Sequence, residues 1–269
     1  MPAKIRLLSV KVLTIGGSTQ LTANDINDNG QVVGQFTDSS GVAHGFVYEE
    51  DSFCRLDYPG GRATNILGIN NLGQMVGMFA TLTATCGFLY DRGKFSPPLS
   101  YPGAGNLTVP NGINDRGEIV GVFQDATPGE HSFHCKAGTW EALTYPNAAE
   151  TAAEDINNSG QIVGGFPDAT GTHGFVYLEN VGVFTPPLDH PPSTVIALRG
   201  INNGGQIVGG YLDAQGHEHP FLYMAKALHP ILIPGAISAS VNGINDRGQV
   251  VGNFQSARGA QSFVAAIRV

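Results

Sequence analysis

One pattern recurs six times along the 269 residues of this chain. It consists of Ile-Asn, a short turn ending in Gly, a Gln or Glu, two apolar residues and a second Gly. The copies read NDINDNGQVVGQF, LGINNLGQMVGMF, NGINDRGEIVGVF, EDINNSGQIVGGF, RGINNGGQIVGGY and NGINDRGQVVGNF. Their isoleucines, 43 to 45 residues apart, are Ile26, Ile69, Ile113, Ile156, Ile201 and Ile244. A fixed period of this length indicates a repeat architecture, and it constrains the fold more than any other feature of the chain.

Each copy predicts four short strands joined by tight turns. The first strand runs into the isoleucine, and the Asn, Asp and Gly residues after it suit a hairpin turn. The second reads QVVGQF or similar, the third contains a Phe in segments such as HGFVY, and the fourth is the least regular. Four-stranded meanders that repeat at this period are typical of β-propeller blades. The sequence therefore predicts an all-β, six-bladed β-propeller that occupies residues 1–269 as one domain of six repeats of about 43 residues.

The two ends of the chain complement each other in this pattern. The sixth copy ends after its third strand, QSFVAAIRV, whereas residues 1–14 read like a fourth strand placed before the first copy. We expect the N-terminal strand to join the C-terminal blade and close the ring, which removes the exposed sheet edges. The N-terminal segment has no convincing cleavage site, so no signal peptide is predicted.

The composition excludes several functional classes. The formal net charge is −8, so binding to nucleic acid through a basic face is not expected. No apolar stretch is long enough to span a membrane. The three cysteines, Cys54, Cys86 and Cys135, are odd in number and irregularly spaced, so they do not form a disulfide framework. The chain also lacks the Walker, GxSxG, HExxH and Rossmann motifs.

The INxxGQVVG element, followed by a strand with His, a small residue and Phe, resembles the bacterial HAF-type extracellular repeat family. The His-x-Phe element stands at His44–Phe46, His131–Phe133, His173–Phe175 and His219–Phe221. Cys86 and Gln261 replace the histidine in the other two copies. The resemblance covers essentially the whole chain. It implies an extracellular or periplasmic location and does not imply one particular chemistry.

Four histidines at equivalent positions form the first candidate site. They are His44, His131, His173 and His219. If the third strand lined the channel, these imidazoles would converge at the axis and could bind Zn²⁺. If the first strand lines it, the third lies about 10 Å farther out. Each histidine would then hydrogen-bond within its own blade. The sequence leaves both arrangements open.

The second candidate site comprises the residues two positions before each repeat isoleucine. They are Asn24, Leu67, Asn111, Glu154, Arg199 and Asn242. If these residues face the channel, the carboxylate and the amides offer oxygen ligands that suit Ca²⁺. Propeller hydrolases of the lactonase and phosphotriesterase type hold an axial cation through similar residues, a resemblance of architecture alone. The predicted ligands are Glu154, Asn24, Asn111 and Asn242. The alternative is that the asparagines cap turns and that Glu154 pairs with Arg199.

Further polar residues occur in single copies near the same rim. Asp25 and Asp155 replace a glycine that the other four copies share. The others are Glu130, Glu150, His190, His217 and Glu218. His217 and His219 could offer two zinc ligands from one strand. Solvated loop residues are the simpler interpretation of this third set.

Two functions from different classes fit these residues. The first is a metal-dependent hydrolase of esters, lactones or phosphoesters. A divalent metal, Ca²⁺ or Zn²⁺, would polarise the substrate oxygen, and a histidine or carboxylate would act as base. Its predicted catalytic residues are His173, Asp155 and Arg199. The second is a non-catalytic extracellular binding or scaffold propeller. In either case we expect a small-molecule or surface ligand and a monomer.

Overall fold

The structure, a computed structural model, describes residues 5–127, 129–190, 193 and 195–268. Within these ranges its regular elements are twenty-four β-strands. Each repeat contributes a meander of antiparallel strands, and apolar side chains pack between successive meanders. A search of the described residues finds no helix with the length and apolar character needed to cross a membrane.

The strands follow the repeats in order. β1 (Arg6–Leu13) precedes the first repeat. The first repeat contains β2 (Gln20–Ile26), β3 (Val32–Thr37), β4 (Ala43–Glu49) and β5 (Ser52–Arg55). The second contains β6 (Ala63–Ile69), β7 (Met75–Ala80), β8 (Thr85–Asp91) and β9 (Lys94–Phe95). The third contains β10 (Leu107–Ile113), β11 (Ile119–Gln124), β12 (His131–Lys136) and β13 (Thr139–Leu143).

The remaining repeats continue the pattern. The fourth contains β14 (Ala152–Ile156), β15 (Gln161–Asp168), β16 (Gly171–Leu178) and β17 (Val183–Phe184). The fifth contains β18 (Ile196–Ile201), β19 (Ile207–Leu212), β20 (Glu218–Met224) and β21 (Ala227–Pro230). The sixth contains β22 (Ser238–Ile244), β23 (Gln249–Ser256) and β24 (Gly259–Arg268).

The strands form four four-stranded sheets and one eight-stranded sheet. The larger sheet comprises the second and third repeats, which are joined by a parallel bridge between Thr85 and Leu107. The backbone N–H of Thr85 also donates to the carbonyl oxygen of Asn106 over 2.8 Å. The sequence predicts six separate four-stranded sheets. The structure differs because this pairing of backbone edges makes two of them continuous.

The N-terminal strand pairs with the last strand of the chain. β1 lies antiparallel to β24, with Val10 opposite Ala265. The order of this sheet is β1-β24-β23-β22. Side chains of the sixth and first repeats also pack together, because Val251 belongs to the same buried cluster as Ala23. The segment before the first repeat therefore supplies a fourth strand to the sixth.

A phenylalanine in each third strand fills the core. The six fully buried rings are Phe46, Phe88, Phe133, Phe175, Phe221 and Phe263. Each lies opposite the glycine of the second strand, as Phe175 lies opposite Gly164. A Cβ atom at Gly164 would lie 2.0 Å from the carbonyl oxygen of Ala152 and 2.8 Å from Phe175. This close approach requires a glycine, which explains why both residue types recur in every copy.

The asparagine of each Ile-Asn pair joins one repeat to the next. Its Nδ2 donates to the carbonyl oxygen of the equivalent asparagine over 2.9 to 3.2 Å. These bonds run from Asn27 to Asn70, Asn70 to Asn114, Asn114 to Asn157, Asn157 to Asn202, Asn202 to Asn245, and Asn245 to Asn27. All six side chains are buried. Because these buried amides form their hydrogen bonds, they stabilise the contacts between repeats.

Candidate functional site

The first strands of the six repeats surround a central channel. They are β2, β6, β10, β14, β18 and β22. Each contacts the next, and β22 contacts β2. The structure therefore places the first strand at the axis, and the third strand, which carries the four repeated histidines, lies farther out.

A β-bulge in each first strand sets which side chain enters the channel. The pairing register shifts two residues before the repeat isoleucine in all six repeats. In the fourth repeat the shift lies between Ala153 and Asp155, so Glu154 is the extra residue. A bulge redirects a side chain relative to a regular strand. The bulged residues are Asn24, Leu67, Asn111, Glu154, Arg199 and Asn242, and all of them line one cavity of about 210 Å³ together with Asp25 and Asp155. We name it the mouth cavity.

The asparagines of the mouth cavity are held by hydrogen bonds to the next repeat. The Nδ2 atoms of Asn24, Asn111 and Asn242 donate to carbonyl oxygens of the neighbouring first strand, over 2.8, 2.9 and 2.8 Å respectively. These amides therefore bridge repeats and do not cap turns. The Oδ1 atom of each side chain accepts no hydrogen bond from the described residues, and it is the atom that a cation could bind.

Glu154 is the one acid among the six bulged residues. Its side chain is half-buried, and its carboxylate has no hydrogen-bond or ion-pair partner among the described residues. Burial raises the pKa of Glu154, and the charge of Arg199 opposes this effect. The Arg199 guanidinium forms its ion pair with Glu218. The alternative pairing of Glu154 with Arg199 is therefore not formed, and the carboxylate remains available to a ligand.

Asp25 and Asp155 lie between two parts of the channel. They line the mouth cavity and also a narrower cavity of about 50 Å³ on the side of the repeated asparagines. Each carboxylate accepts the N–H of the isoleucine that follows it and of the equivalent isoleucine in the next repeat, over 2.7 to 2.9 Å. Burial raises the pKa of Asp25 to about 7. Burial also raises the pKa of Asp155 well above its usual range, and the nearby Asp25 charge adds to this effect. Such carboxyls favour a bound proton or a bound cation.

A second cavity adjoins the mouth cavity at Glu154 and Arg199. We name this cavity, of about 410 Å³, the side cavity. Its acidic residues are Glu130, Glu150 and Glu154, and its apolar wall includes Phe166, Ile196 and Leu198. The sequence singles out Glu130 and Glu150 as unrepeated acids, but it does not reveal the apolar wall. Those apolar residues occupy positions that look like ordinary core.

The structure does not bring the four repeated histidines together. Each pairs with aspartates of its own repeat: His44 with Asp38 and Asp57, His131 with Asp125, His173 with Asp168 and Asp189, and His219 with Asp213. Their distance from the axis follows from their place on the third strands. The converging zinc set that the sequence left open is therefore not present.

His173 also lies apart from the other two residues predicted to be catalytic. It lines a separate cavity of about 180 Å³ with Asp189 and His190. Asp155 and Arg199 instead line the mouth cavity. His217, which the sequence pairs with His219, lies 3.5 Å from a carboxylate oxygen of Asp213, so both histidines face that aspartate.

Comparisons with known proteins bear on the fold. No protein-family model and no curated protein matches the chain. Among solved structures, a Dyadobacter fermentans protein of unknown function superposes with a TM-score of 0.62 at 11% identity over 100% of both chains. The β-propeller domain of the Trilobed protease from Pyrococcus furiosus superposes with a TM-score of 0.59 at 12% identity, over 94% of this chain and 84% of that one. The fold is a β-propeller.

A lectin has the same fold. The Aleuria aurantia lectin in complex with Fucα1-6GlcNAc superposes on this propeller with a TM-score of 0.58 at 12% identity, over 96% of this chain and 97% of that one. At such identities the likeness shows the fold alone, since propellers carry unrelated functions. The resemblance to the HAF-type repeat family stays a prediction.

Proposed function

We propose that the molecule is a ligand-binding β-propeller whose mouth cavity holds a divalent cation, with Ca²⁺ as the best fit. The bound ligand would be a small molecule or an exposed group of a surface. It would lie across the mouth and side cavities and complete the coordination of the cation. The observation that carries this proposal is the unpartnered carboxylate of Glu154 in a cavity that two further half-buried carboxyls also line.

The donor atoms around the mouth cavity support calcium. Glu154, Asp25 and Asp155 offer carboxylate oxygens, and three asparagines offer amide oxygens. Calcium takes six to eight oxygen ligands in flexible geometry, whereas zinc prefers nitrogen and sulfur with fewer ligands. A cation would also offset the cost of keeping these carboxyls ionised away from water. The histidines, which would favour zinc, lie elsewhere.

Calcium titration of the full chain by calorimetry tests this proposal. Glu154→Gln keeps the side-chain shape and removes the charge, so we expect calcium affinity to fall roughly tenfold or more. Glu141→Gln, a change at an exposed acid of the third repeat, should bind calcium as the parent protein does. His173→Ala should also leave calcium binding unchanged. Failure of the parent protein to bind calcium, or normal binding by Glu154→Gln, would show the proposal to be wrong.

Hydrolysis is a second candidate function. It is favoured by the position of Glu130 and Glu150, which place carboxylates beside a cavity large enough for a small substrate. One of them could serve as general base while the cation polarises an ester, lactone or phosphoester oxygen. Asp155 and Arg199 remain candidates for contact with substrate, and His173 does not.

Assays of ester, lactone and phosphoester substrates separate the two functions. A calcium-dependent activity that Glu130→Gln and Glu150→Gln reduce, without a change in calcium affinity, would favour the hydrolase. Calcium binding without turnover would favour the binding propeller.

We propose further that the eight-stranded sheet counts as two blades. The propeller would then have six blades, and β1 would close the ring. This count is supported by one meander per repeat and by the pairing of β1 with β24. An extracellular or periplasmic location and a monomeric state stay predictions.

A further inference from the structure

A cluster of possible metal ligands lies away from the channel, where the third and fourth repeats meet. It consists of Glu118, His134 and Glu179. Glu118 lies in the turn before β11, His134 on β12, and Glu179 just after β16. Each side chain offers one ligand atom, and these atoms lie within 4.8 Å of one another. The cluster is separate from the mouth cavity and shares no residue with it.

Two residues of the cluster, both in the third copy, differ from the residues that the other copies carry at the equivalent positions. Glu118 occupies the position that is glutamine in the other five copies, namely Gln31, Gln74, Gln161, Gln206 and Gln249. His134 occupies a position that is otherwise aliphatic, namely Val47, Leu89, Val176, Leu222 and Val264. The fold does not need either residue, because five copies form the same strands without them. Their coincidence in one copy, beside each other in space, indicates a shared role.

His134 is buried without a partner for one of its ring nitrogens. Its side chain is 6% exposed. Its Nε2 atom has no hydrogen-bond partner among the described residues. A buried polar atom without a partner is costly, since its bond to water is lost and not replaced.

Charged groups already surround the two carboxylates. Arg116 and Lys136 each form ion pairs with both Glu118 and Glu179. The side chains of the two bases are 43% and 56% exposed, whereas that of Glu118 is 4% exposed. The two bases can therefore turn toward solvent more easily than the buried Glu118 carboxylate can. The Glu118 carboxylate also accepts a hydrogen bond from the Nδ2 atom of Asn114 over 2.7 Å.

We propose that Glu118, His134 and Glu179 bind a zinc ion that links the third repeat to the fourth. Imidazole nitrogen and carboxylate oxygen are ligand types that zinc accepts, and the three side chains would leave the fourth position to water. Zinc bonds of about 2.0 to 2.2 Å require ligand atoms roughly 3.3 Å apart, so these side chains would move together by an ångström or so. Lys136 would leave the carboxylates as the ion enters, and the ion would give the imidazole the partner it lacks.

Zinc titration of the full chain, with a competing chromophoric chelator, tests the site. His134→Val and Glu118→Gln install residues that other copies carry, so both variants should fold. We expect each to bind zinc at least roughly tenfold more weakly than the parent protein, because even loss of a residue that only supports a ligand has an effect of this size. Glu154→Gln, which changes the mouth cavity, should bind zinc like the parent protein.

Lys136→Met is expected to have the opposite effect on zinc affinity. It distinguishes coordination by the cluster from nonspecific zinc binding. Methionine occupies the equivalent position in the fifth copy, at Met224. Removal of the competing ammonium should tighten zinc binding several-fold, and zinc should raise the melting temperature of this variant most. The proposal is wrong if the parent protein binds no zinc at micromolar concentrations. It is also wrong if His134→Val binds zinc as tightly as the parent protein, or if Lys136→Met binds it more weakly.

Discussion

At the scale of single residues, both proposed cation sites of this propeller include residues at which one copy departs from the rest. Glu154 stands at a bulge position where three copies carry asparagine, and its carboxylate is left without a partner. Glu118 and His134 depart in the third copy and form a cluster with a residue of the fourth. Positions shared by all copies instead make the contacts that hold the fold, such as the buried ring of Phe175 against Gly164. An internal repeat thus separates residues that serve the fold from residues free to bind ligands.

His173 makes stability depend on pH. Its ring hydrogen-bonds Asp189 over 2.5 Å and Asp168 over 2.9 Å, and these bonds, led by the one to Asp189, raise the pKa of His173. A histidine whose folded pKa is raised stabilises the protein fully below its unfolded pKa of about 6.5 and loses this effect as pH rises through the folded value. His173→Gln, which copies Gln261, should cost of the order of 1 kcal/mol at pH 6 and little at pH 9.

Urea unfolding of both proteins at several pH values measures this difference. The stability difference between the parent protein and Asp189→Asn should depend on pH in much the same way. This change removes the partner that raises the pKa of His173 most. If the stability difference were equal at pH 6 and pH 9, His173 would not carry a charge beside Asp189 and Asp168 in the folded state.

At the scale of strands and turns, the repeat predicts the fold well because its residues meet local requirements. The glycine of the second strand, the phenylalanine of the third and the turn after each Ile-Asn pair all recur because local geometry demands them. The sequence also identifies the six channel positions, because they share one offset from the isoleucine. It does not predict the bulge that directs them, since a bulge leaves no residue pattern when its extra residue varies between Asn, Leu, Glu and Arg.

Other features of the structure cannot be predicted from the sequence, for a different reason. The bridge between Thr85 and Leu107 depends on how two backbone edges approach, which side chains do not encode. The cluster of Glu118, His134 and Glu179 combines residues from two turns and one strand. Glu179 follows the other two by more than forty residues in the sequence. His134 also lies three residues after His131 in the sequence. The repeated His-x-Phe element, which includes His131, is the more evident pattern.

The Asn-to-Asn bonds between repeats should each contribute comparably. The Asn157 amide bridges the fourth and fifth repeats, and the Asn245 amide bridges the sixth and first over 2.9 Å. In each case Oδ1 also accepts two N–H groups of its own turn. Replacement by alanine leaves several buried groups unbonded, so we expect a loss of about 2 to 3 kcal/mol at either site. Urea midpoints of Asn157→Ala and Asn245→Ala give the comparison, with an exposed change such as Asn180→Ala as control.

At the scale of the whole molecule, stability depends on contacts between successive repeats. A four-stranded meander cannot bury both of its faces alone, so each repeat relies on its neighbours for a core. The clusters reflect this, because Val120 of the third repeat packs with Ile162 of the fourth, and Val208 of the fifth packs with Val250 of the sixth. A loss at any one junction should therefore weaken the whole propeller and not one repeat alone. A zinc ion between the third and fourth repeats would act at such a junction.

The junction between the sixth and first repeats includes the N-terminal strand. Deletion of residues 1–14 removes β1, together with residues 1–4, which lie outside the described part. It exposes the edge of β24, a strand of ten residues, and removes Leu13, which is buried at 4% exposure. Exposed edges of this length promote aggregation. We expect a fall in melting temperature of roughly 10 °C or more, with self-association visible by light scattering. Deletion of residues 1–4 alone is the control and should leave both properties close to those of the parent protein. If the longer deletion shows no self-association and an unchanged melting temperature, β1 does not close the ring.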